Sequence, residues 1–161
     1  MIVVVMGVSG VGKTTIGKRL AADLGWTFYE GDDFHPPENV AKMGRGIPLT
    51  DEDRLPWLQA LREVIDGCVL RGENAVLACS ALKSAYRRTL RGDHPEVVFV
   101  HLQAAPLVIA ARLEQRTGHY MKRSLLESQL SALEEPGDAV GVDASETPGG
   151  IVAEIRRRLG V

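Results

Sequence analysis

The feature that most constrains the fold is the N-terminal segment, where an apolar run leads directly into a glycine-rich loop. Residues 2–6 read IVVVM and residues 7–14 read GVSGVGKT. The second stretch fits the pattern G-x-x-x-x-G-K-[ST], which joins a buried strand to the start of a helix. A β-branched run precedes the loop and an amphipathic helical pattern follows it, as this motif requires. The chain is therefore predicted to contain a parallel α/β sheet whose first strand ends in a phosphate-binding loop.

The loop also predicts how a phosphate would be held. Consecutive backbone N–H groups and the positive end of the following helix surround the anion, while Lys13 reaches the β- and γ-oxygens and the Thr14 hydroxyl ligates magnesium. Glycines allow the backbone to approach the phosphate closely. The nucleotide-binding candidates are Gly7, Val8, Ser9, Gly10, Val11, Gly12, Lys13, Thr14 and Thr15.

Composition narrows the classes of function. With 161 residues, 45% of them hydrophobic, the chain is sized for a single domain, 1–161, with its own core. A net charge of −2 without a basic tail argues against a nucleic-acid or membrane-surface binder. The apolar run at residues 1–8 is too short to span a bilayer, and Cys68 and Cys79 are typical of buried free thiols. We expect a cytoplasmic protein that binds a small polyanion.

Val-rich runs alternate with helical patterns along the chain, which is typical of a parallel sheet covered by helices on both faces. Strands are predicted near residues 2–6, 26–29, 75–79, 97–102 and 139–142. Helices are predicted over 13–24, 57–70, 83–91, 106–116, 124–134 and 148–159. The pattern therefore predicts a three-layer α/β fold around a five-stranded parallel sheet.

Two segments interrupt this alternation. Residues 31–53 are rich in proline, glycine and charge, and they are too long and polar for an ordinary connection. Together with the residues up to 58, they are the predicted substrate-binding segment. Residues 112–125 concentrate positive charge around Gly118, through Arg112, Arg116, His119, Lys122 and Arg123. Such a stretch in a nucleotide enzyme suggests a mobile basic lid that closes over phosphates, although a solvated helix end has the same composition.

Carboxylates follow the second strand, at the edge of an open α/β sheet where ligands sit. Phosphoryl transfer needs a carboxylate to take the proton of the acceptor hydroxyl, and Asp32 is the candidate general base and acceptor-binding residue. Glu30 is the candidate that holds a magnesium-bound water. Two-residue alternation would place Glu30 and Asp32 on one side and Asp33 on the other. An Asx turn that closes the strand would explain a single aspartate equally well.

Cationic side chains surround the same predicted edge. Arg54 lies at a helix entrance, where Thr50 is a candidate cap and Pro56 is tolerated in the first turn. Lys83 and Arg87 share one helical face after the third strand. A basic pair of this kind suits an anionic acceptor, although each cation alone is more often a surface ion-pair partner.

Taken together, these segments resemble the gluconokinase family, of the thermoresistant, shikimate-kinase-like P-loop type, over nearly the whole chain. The matching motifs are GVSGVGKT at 7–14, GDDFHP at 31–36, NVAKMG at 39–44, GIPLTDEDRLPWL at 46–58, CSALKSAYR at 79–87, GHYMK at 118–122, SQ at 128–129 and LEEP at 133–136. The phosphate loop is shared by many families, whereas the later motifs are specific to this one.

The resemblance implies ATP- and Mg²⁺-dependent phosphorylation of D-gluconate at its 6-hydroxyl. It supports Asp32 as the base and places His35, Arg54, Lys83, Arg87 and His119 at the sugar acid. It places Arg112 against the adenine and Arg116 in the lid, where Arg116 joins Lys13 and Asp32 as a catalytic candidate. The magnesium role of Glu30 rests on analogy with shikimate kinases. Family members are often dimers, so a homodimer is expected.

Other classes of function fit the sequence less well. A shikimate or nucleoside monophosphate kinase shares the fold and the nucleotide, but a shikimate kinase would carry a glycine triplet where this chain has Ser80-Ala-Leu-Lys83. A regulatory GTPase would need the guanine-reading N-K-x-D motif, which is absent from the sequence. A binding module without catalysis would leave Lys13, Asp32 and the basic lid without a common purpose.

Overall fold

The computed structural model describes residues 1–115 and 125–161, and its centre is a five-stranded parallel sheet. The strand order is β2-β3-β1-β4-β5, so the strand that precedes the phosphate loop lies in the middle. The strands are β1 (Ile2–Met6), β2 (Thr27–Glu30), β3 (Ala75–Ala78), β4 (Val97–Gln103) and β5 (Val140–Asp143). The predicted five-stranded parallel sheet is confirmed. Strand β2 starts one residue later than predicted, because the Trp26 N–H donates to the Ala21 carbonyl and closes the turn that ends the preceding helix.

Helices cover both faces of this sheet. Within the described residues they are α1 (Lys13–Leu24), α2 (Pro37–Gly44), α3 (Asp51–Leu70), α4 (Ser84–Arg91), α5 (Pro106–Glu114), α6 (Leu126–Ala132) and α7 (Pro148–Leu159). A 3₁₀ turn, Gly31–Phe34, follows β2 directly. The segment predicted to be irregular between 31 and 53 therefore contains this turn and helix α2. None of the helices in residues 1–115 and 125–161 combines the length and apolar character needed to cross a membrane.

The two hydrophobic cores lie on opposite faces of the sheet, and β1 contributes to both. Val3 and Val5 pack in one core with residues of α1, α5 and α7, whereas Ile2, Val4 and Met6 pack in the other with residues of α3 and α4. Successive side chains of a strand point to opposite faces, so a central strand buried on both faces must be apolar throughout. This explains the uninterrupted IVVVM run.

Helix α3 begins at Asp51, six residues before the predicted start at Trp57. Its first turn is closed by a capping box, because the Thr50 hydroxyl accepts from the Asp53 N–H at 3.1 Å and the Asp53 carboxylate accepts from the Thr50 N–H at 2.8 Å. Thr50 is thus the cap, as predicted. Pro56 lies in the second turn and not in the first, so the expectation for Pro56 is corrected.

The carboxyl ends of three neighbouring strands meet at one edge and carry the site. The Gly7 N–H after β1 donates to the Ser80 carbonyl after β3 at 3.3 Å. A Cβ atom at Gly31, just after β2, would lie 2.3 Å from the Ala78 carbonyl oxygen. Only glycine permits this close approach, so Gly31 lets the chain after β2 turn against β3.

Replacing Thr50 with alanine should lower the free energy of unfolding by about 1 kcal/mol, because the Asp53 N–H loses its side-chain cap. Urea unfolding of the parent and the variant measures the difference. Thr89→Ala is the matched control, since the Thr89 hydroxyl donates within α4 to the Ala85 carbonyl and caps no helix. Equal losses in the two variants would contradict the capping role of Thr50.

Candidate active site

The phosphate loop between β1 and α1 has backbone conformations that require glycine. Gly7, Gly10 and Gly12 have φ angles of 143°, 86° and 108°. A side chain at Gly7 would also meet the Leu102 carbonyl oxygen at 2.9 Å. These three positions wrap the backbone into the tight loop that the sequence pattern predicts.

Helix α1 presents its N-terminus toward the loop. Gly12 is its N-cap, and no side chain among the described residues caps the first turn. The backbone N–H groups at a helix N-terminus are unsatisfied donors at the positive end of the helix dipole, which together favour an anion. The Lys13 ammonium donates to the Val8 carbonyl at 3.0 Å, so it lies across the loop. The loop and Lys13 therefore have a geometry that suits a bound phosphate.

Gln129 connects helix α6 to the phosphate loop. Its side-chain oxygen accepts from the Ser9 N–H at 2.6 Å, although 120 residues separate the two in the chain. This contact was not predicted, because nothing in the local sequence of α6 indicates a partner so distant. It places the segment that follows the expected lid directly on the loop.

Thr14 and Glu30 lie side by side at the end of β2. The Thr14 hydroxyl donates to Glu30 Oε2 at 2.5 Å. Burial raises the pKa of Glu30 above its usual range, and the Thr14 hydrogen bond opposes this shift. A hydroxyl and a carboxylate are the hard oxygen donors that Mg²⁺ prefers, usually with waters and phosphate oxygens as further ligands. The two residues thus fit a magnesium ion beside the phosphate loop.

The chain leaves the extended conformation immediately after Glu30. Residues Gly31–Phe34 form a 3₁₀ turn, so the two-residue alternation expected for Asp32 and Asp33 does not apply. Asp32 nevertheless lines the cleft beside the loop, whereas Asp33 is exposed. The sequence therefore predicted the wrong backbone geometry for this segment, and the role of Asp32 as the general base stays a prediction.

A narrow cleft next to the loop brings together five of the predicted site residues, Ser9, Lys13, Asp32, His35 and Arg54. Its polar lining includes Lys13, Asp32, His35, Arg54, Ser80 and Gln129. The cleft thus combines a carboxylate, two cations and an imidazole, and it borders the position expected for a terminal phosphate. Substrate-binding and phosphate-binding candidates meet here, as phosphoryl transfer requires.

Trp57 is part of the lining of this cleft and was not predicted as a site residue. Its side chain is 1% exposed, and its indole N–H donates to the Gly31 carbonyl at 2.8 Å. The His35 ring stacks on the indole, with ring centroids 4.3 Å apart and an angle of 12° between the planes. The buried indole therefore holds both the turn that carries Asp32 and the ring of His35.

The cationic edge of the site is organised around Asp51. Arg54 donates to the Tyr86 hydroxyl at 3.0 Å, and that hydroxyl donates in turn to the Asp51 carboxylate. Lys83 donates to Asp51 Oδ1 at 2.8 Å, and this hydrogen bond is the main cause of the lowered pKa of Asp51. Lys83 is therefore held beside the cleft through a carboxylate.

Arg87 occupies a different environment. It is 6% exposed, and its guanidinium donates to the Ala81, Leu82 and Glu134 carbonyls at 2.8, 3.0 and 2.9 Å. It lines a separate cavity between α4 and residues 135–138. The structure thus separates Lys83 from Arg87, which the sequence predicts as a pair, because backbone carbonyls after β3 engage the guanidinium.

A larger cavity lies along the other part of the loop. It has a volume of about 370 Å³ and is lined by residues that include Gly12, Thr15, Arg112, Gln115, Glu146 and Pro148. Arg112 donates to the Val11 carbonyl at 3.1 Å and to the Ala144 carbonyl at 2.7 Å. The size is in the range of small-molecule sites, and the position suits a nucleoside whose phosphates enter the loop.

The remaining lid candidates cannot be placed. Arg116 and His119 fall within residues 116–124, outside the described residues. Of the predicted lid, Arg112 lies in α5 and Leu125 is buried. The lid stays a prediction.

Comparison with known proteins supports the fold class. The family model described as "Shikimate kinase" matches residues 9–141. A shikimate kinase structure from Aquifex aeolicus superposes with a TM-score of 0.65 over 99% of this chain and 96% of that chain, at 17% identity, and so shows the fold alone. The fold and the phosphate loop define a P-loop kinase of the shikimate kinase type.

More similar relatives identify the family. The gluconokinase of Gluconobacter oxydans is 49% identical over 97% of this chain and 89% of its own length. The thermoresistant gluconokinase of Escherichia coli is 40% identical over 94% of this chain and 89% of its own length. A gluconokinase structure from Sinorhizobium meliloti has a TM-score of 0.82 at 43% identity, covering 98% of this chain and 94% of that chain. The chain therefore belongs to the gluconokinase family.

His35 should make the stability of the folded protein sensitive to acid. Burial lowers the pKa of its imidazole from 6.5 to about 4 in the folded state; Asp32 opposes this shift and Arg54 adds to it. Between these two values the unfolded chain binds a proton that the folded chain does not, so the folded state loses stability as the pH falls.

Urea unfolding at about pH 7 and about pH 5 tests this expectation. The His35→Gln variant should lose less stability than the parent over this range, because it lacks the titrating group. Equal losses in the variant and the parent would contradict the assigned environment of His35.

Proposed function

We propose that this protein transfers the γ-phosphoryl group of ATP to the 6-hydroxyl of D-gluconate, giving 6-phospho-D-gluconate and ADP. The observation that carries the proposal is the cleft in which Asp32, His35 and Arg54 face Lys13 of the phosphate loop. Relatives that are named gluconokinases, with 40 to 49% identity over most of the chain, support D-gluconate as the acceptor.

The nucleotide is proposed to occupy the larger cavity and the loop. The nucleoside lies beside Arg112 and the phosphates lie on the N–H groups of residues 7–15, with Lys13 at the β- and γ-oxygens. Two observations support this placement: no side chain in residues 1–115 and 125–161 caps the N-terminus of α1, and the Lys13 ammonium lies across the loop.

The acceptor is proposed to lie in the narrow cleft with its reacting hydroxyl on Asp32. Arg54 supplies a fixed positive charge for the carboxylate of a sugar acid, and His35 and Ser80 supply polar contacts for its hydroxyls. Lys83 and Arg87 remain predictions as substrate contacts. Lys83 lies at the edge of the cleft, where it donates to the Asp51 carboxylate, and the Arg87 guanidinium donates to backbone carbonyls.

The chemistry requires few groups from the protein. A bond forms between the 6-oxygen and the γ-phosphorus, the bond from that phosphorus to the β-γ bridging oxygen breaks, and the hydroxyl proton passes to Asp32. An alcohol is a weak nucleophile at neutral pH, so a carboxylate that orients the hydroxyl and accepts its proton late in a loose transition state is sufficient. Lys13 offsets negative charge on the transferred group.

Thr14 and Glu30 are the residues proposed to hold Mg²⁺, Thr14 directly and Glu30 through a water. When bound, the ion neutralises phosphate charge. The hydrogen bond between Thr14 and Glu30 supports this proposal, since it places both oxygens at one point beside the loop.

A lid that includes Arg116 and His119, a homodimer and a cytoplasmic location also remain predictions.

A coupled assay of ADP release, with Mg²⁺ and ATP, tests the proposed reaction. D-gluconate, shikimate, AMP and a blank are offered side by side. The proposal expects turnover with gluconate alone. Turnover with shikimate or AMP in its place would leave the kinase assignment intact and overturn the assigned acceptor.

Asp32→Asn should lower kcat by about 10²-fold or more, because the amide cannot accept the hydroxyl proton. The KM for ATP should change little. Asp33→Asn is the matched control, since Asp33 is the exposed neighbour on the same turn. An unchanged kcat in Asp32→Asn would exclude Asp32 as the base.

Lys13→Ala should weaken nucleotide binding and lower kcat together, because the loop loses its only side-chain cation between residues 7 and 15. Steady-state kinetics against ATP measure both effects. Lys18→Ala removes an exposed lysine of α1 instead and should behave as the parent. Unaltered ATP kinetics in Lys13→Ala would contradict the phosphate-binding role.

A further inference from the structure

Asn39 is a buried polar residue that no role described so far explains. It lies in the first turn of α2 with 5% of its surface exposed. Its side-chain nitrogen is 2.8 Å from the Asp53 carbonyl oxygen in α3 and 3.3 Å from Nδ1 of His35. The amide thus links helix α2, the start of helix α3 and the imidazole of the cleft.

The partner in α3 determines which way the amide points. A backbone carbonyl oxygen can only accept a hydrogen bond, so the atom of Asn39 that faces Asp53 must be the NH₂ group. The same NH₂ group faces His35 Nδ1. Because an amide nitrogen donates and does not accept, Nδ1 must be the acceptor and must carry no proton.

A neutral imidazole without a proton on Nδ1 carries it on Nε2. Within the described residues no hydrogen bond is made to Nε2, and the ring lines the cleft beside Asp32 and Arg54. We propose that Asn39 is a positioning residue that holds His35 as the neutral Nε2–H tautomer, so that the ring offers the acceptor molecule an uncharged hydrogen-bond donor. This inference rests on the proposed function for the identity of the acceptor and on geometry alone for the tautomer.

The charged groups around the ring are consistent with a neutral imidazole. Asp32 faces it from the 3₁₀ turn and favours the protonated form, whereas Arg54 faces it from α3 and opposes protonation. Lys13 of the phosphate loop adds a second cation to the same cleft. Trp57 covers one face of the ring and removes it from water.

A neutral donor has a distinct use beside two fixed cations. Arg54 and Lys13 already supply positive charge for a carboxylate and a phosphate. An uncharged N–H can bind an oxygen lone pair of the acceptor molecule without adding a further charge near the transferred phosphoryl group. The hydrogen bond from His35 Nε2 therefore contributes to the recognition of a polyhydroxy acid by the positions of its oxygen atoms, and not by charge.

The tautomer can be measured directly, without any substrate or activity. Two-dimensional ¹⁵N–¹H spectra of the histidine-labelled protein distinguish a protonated ring nitrogen from an unprotonated one. We expect His35 to show a protonated Nε2 and an unprotonated Nδ1 at about pH 7. A protonated Nδ1 in the parent protein would overturn the inference and leave the proposed function untouched.

Asn39→Asp provides the decisive variant, because it is nearly isosteric and replaces the donor by an acceptor. The carboxylate should draw a proton onto Nδ1 and raise the pKa of His35. Above that pKa, Nε2 becomes an acceptor, so the KM for gluconate should rise about tenfold at about pH 8 and recover as the imidazolium forms at lower pH. The KM of the parent should stay flat over the same range.

Lys42→Gln is the matched control for loosening α2. Lys42 also joins α2 to Asp53, by an ion pair of 2.7 Å, and it does not contact His35. This variant should keep the parent's tautomer and its flat pH profile. Two results would show that Asn39 has only a structural role and would overturn the inference. One is an unprotonated Nδ1 of His35 in Asn39→Asp, as in the parent. The other is a KM for gluconate in Lys42→Gln that depends on pH as it does in Asn39→Asp.

Discussion

The hydrogen bond from the Trp57 indole to the Gly31 carbonyl joins the two parts of the chain on which the site depends. It fastens the long helix α3 to the turn after β2, at a point where Gly31 already lies against the Ala78 carbonyl oxygen. The folded protein would lose stability if the buried indole N–H lost the Gly31 carbonyl as its acceptor, so this hydrogen bond stabilises the position of the turn. Asp32 follows Gly31 and His35 stacks on the same indole, so one buried side chain positions both.

The charges of the site are held in place by hydrogen bonds among the protein's own side chains. Asp51 accepts from Lys83 and Tyr86, and Tyr86 in turn accepts from Arg54. This arrangement directs one guanidinium into the cleft and keeps a second cation at its edge. Side chains held in this way lose less conformational entropy on binding, which favours a preorganised pocket over a loose one.

The sheet and the phosphate loop could be predicted from the sequence because their signals are local. The IVVVM run is apolar throughout since β1 is buried on both faces, and the loop glycines have conformations that other residues rarely adopt. The apolar pattern alone placed the start of α3 at Trp57, where it becomes regular, whereas the predicted cap Thr50 forms a capping box with Asp53 and starts the helix at Asp51.

Long-range contacts explain what the sequence could not predict about the site. Arg87 has the same residue type and spacing as a ligand-binding cation, yet the Glu134 carbonyl, 47 residues along the chain, engages it together with the nearby Ala81 and Leu82 carbonyls. Asn39 and Trp57 resemble ordinary helix residues until α2, α3 and the turn after β2 are brought together. Local patterns carry no information on which donor meets which acceptor across 14 or 26 residues of chain.

The proposed reaction requires one cleft, between the phosphate loop and the turn after β2, to bring the acceptor hydroxyl to the terminal phosphate. A crystal structure with Mg²⁺, a non-hydrolysable ATP analogue and D-gluconate tests it most directly. We expect the 6-hydroxyl to lie within hydrogen-bond distance of the Asp32 carboxylate and to face the γ-phosphate, with Lys13 on that phosphate. Gluconate bound elsewhere, or with its carboxylate on the side of Asp32, would contradict it.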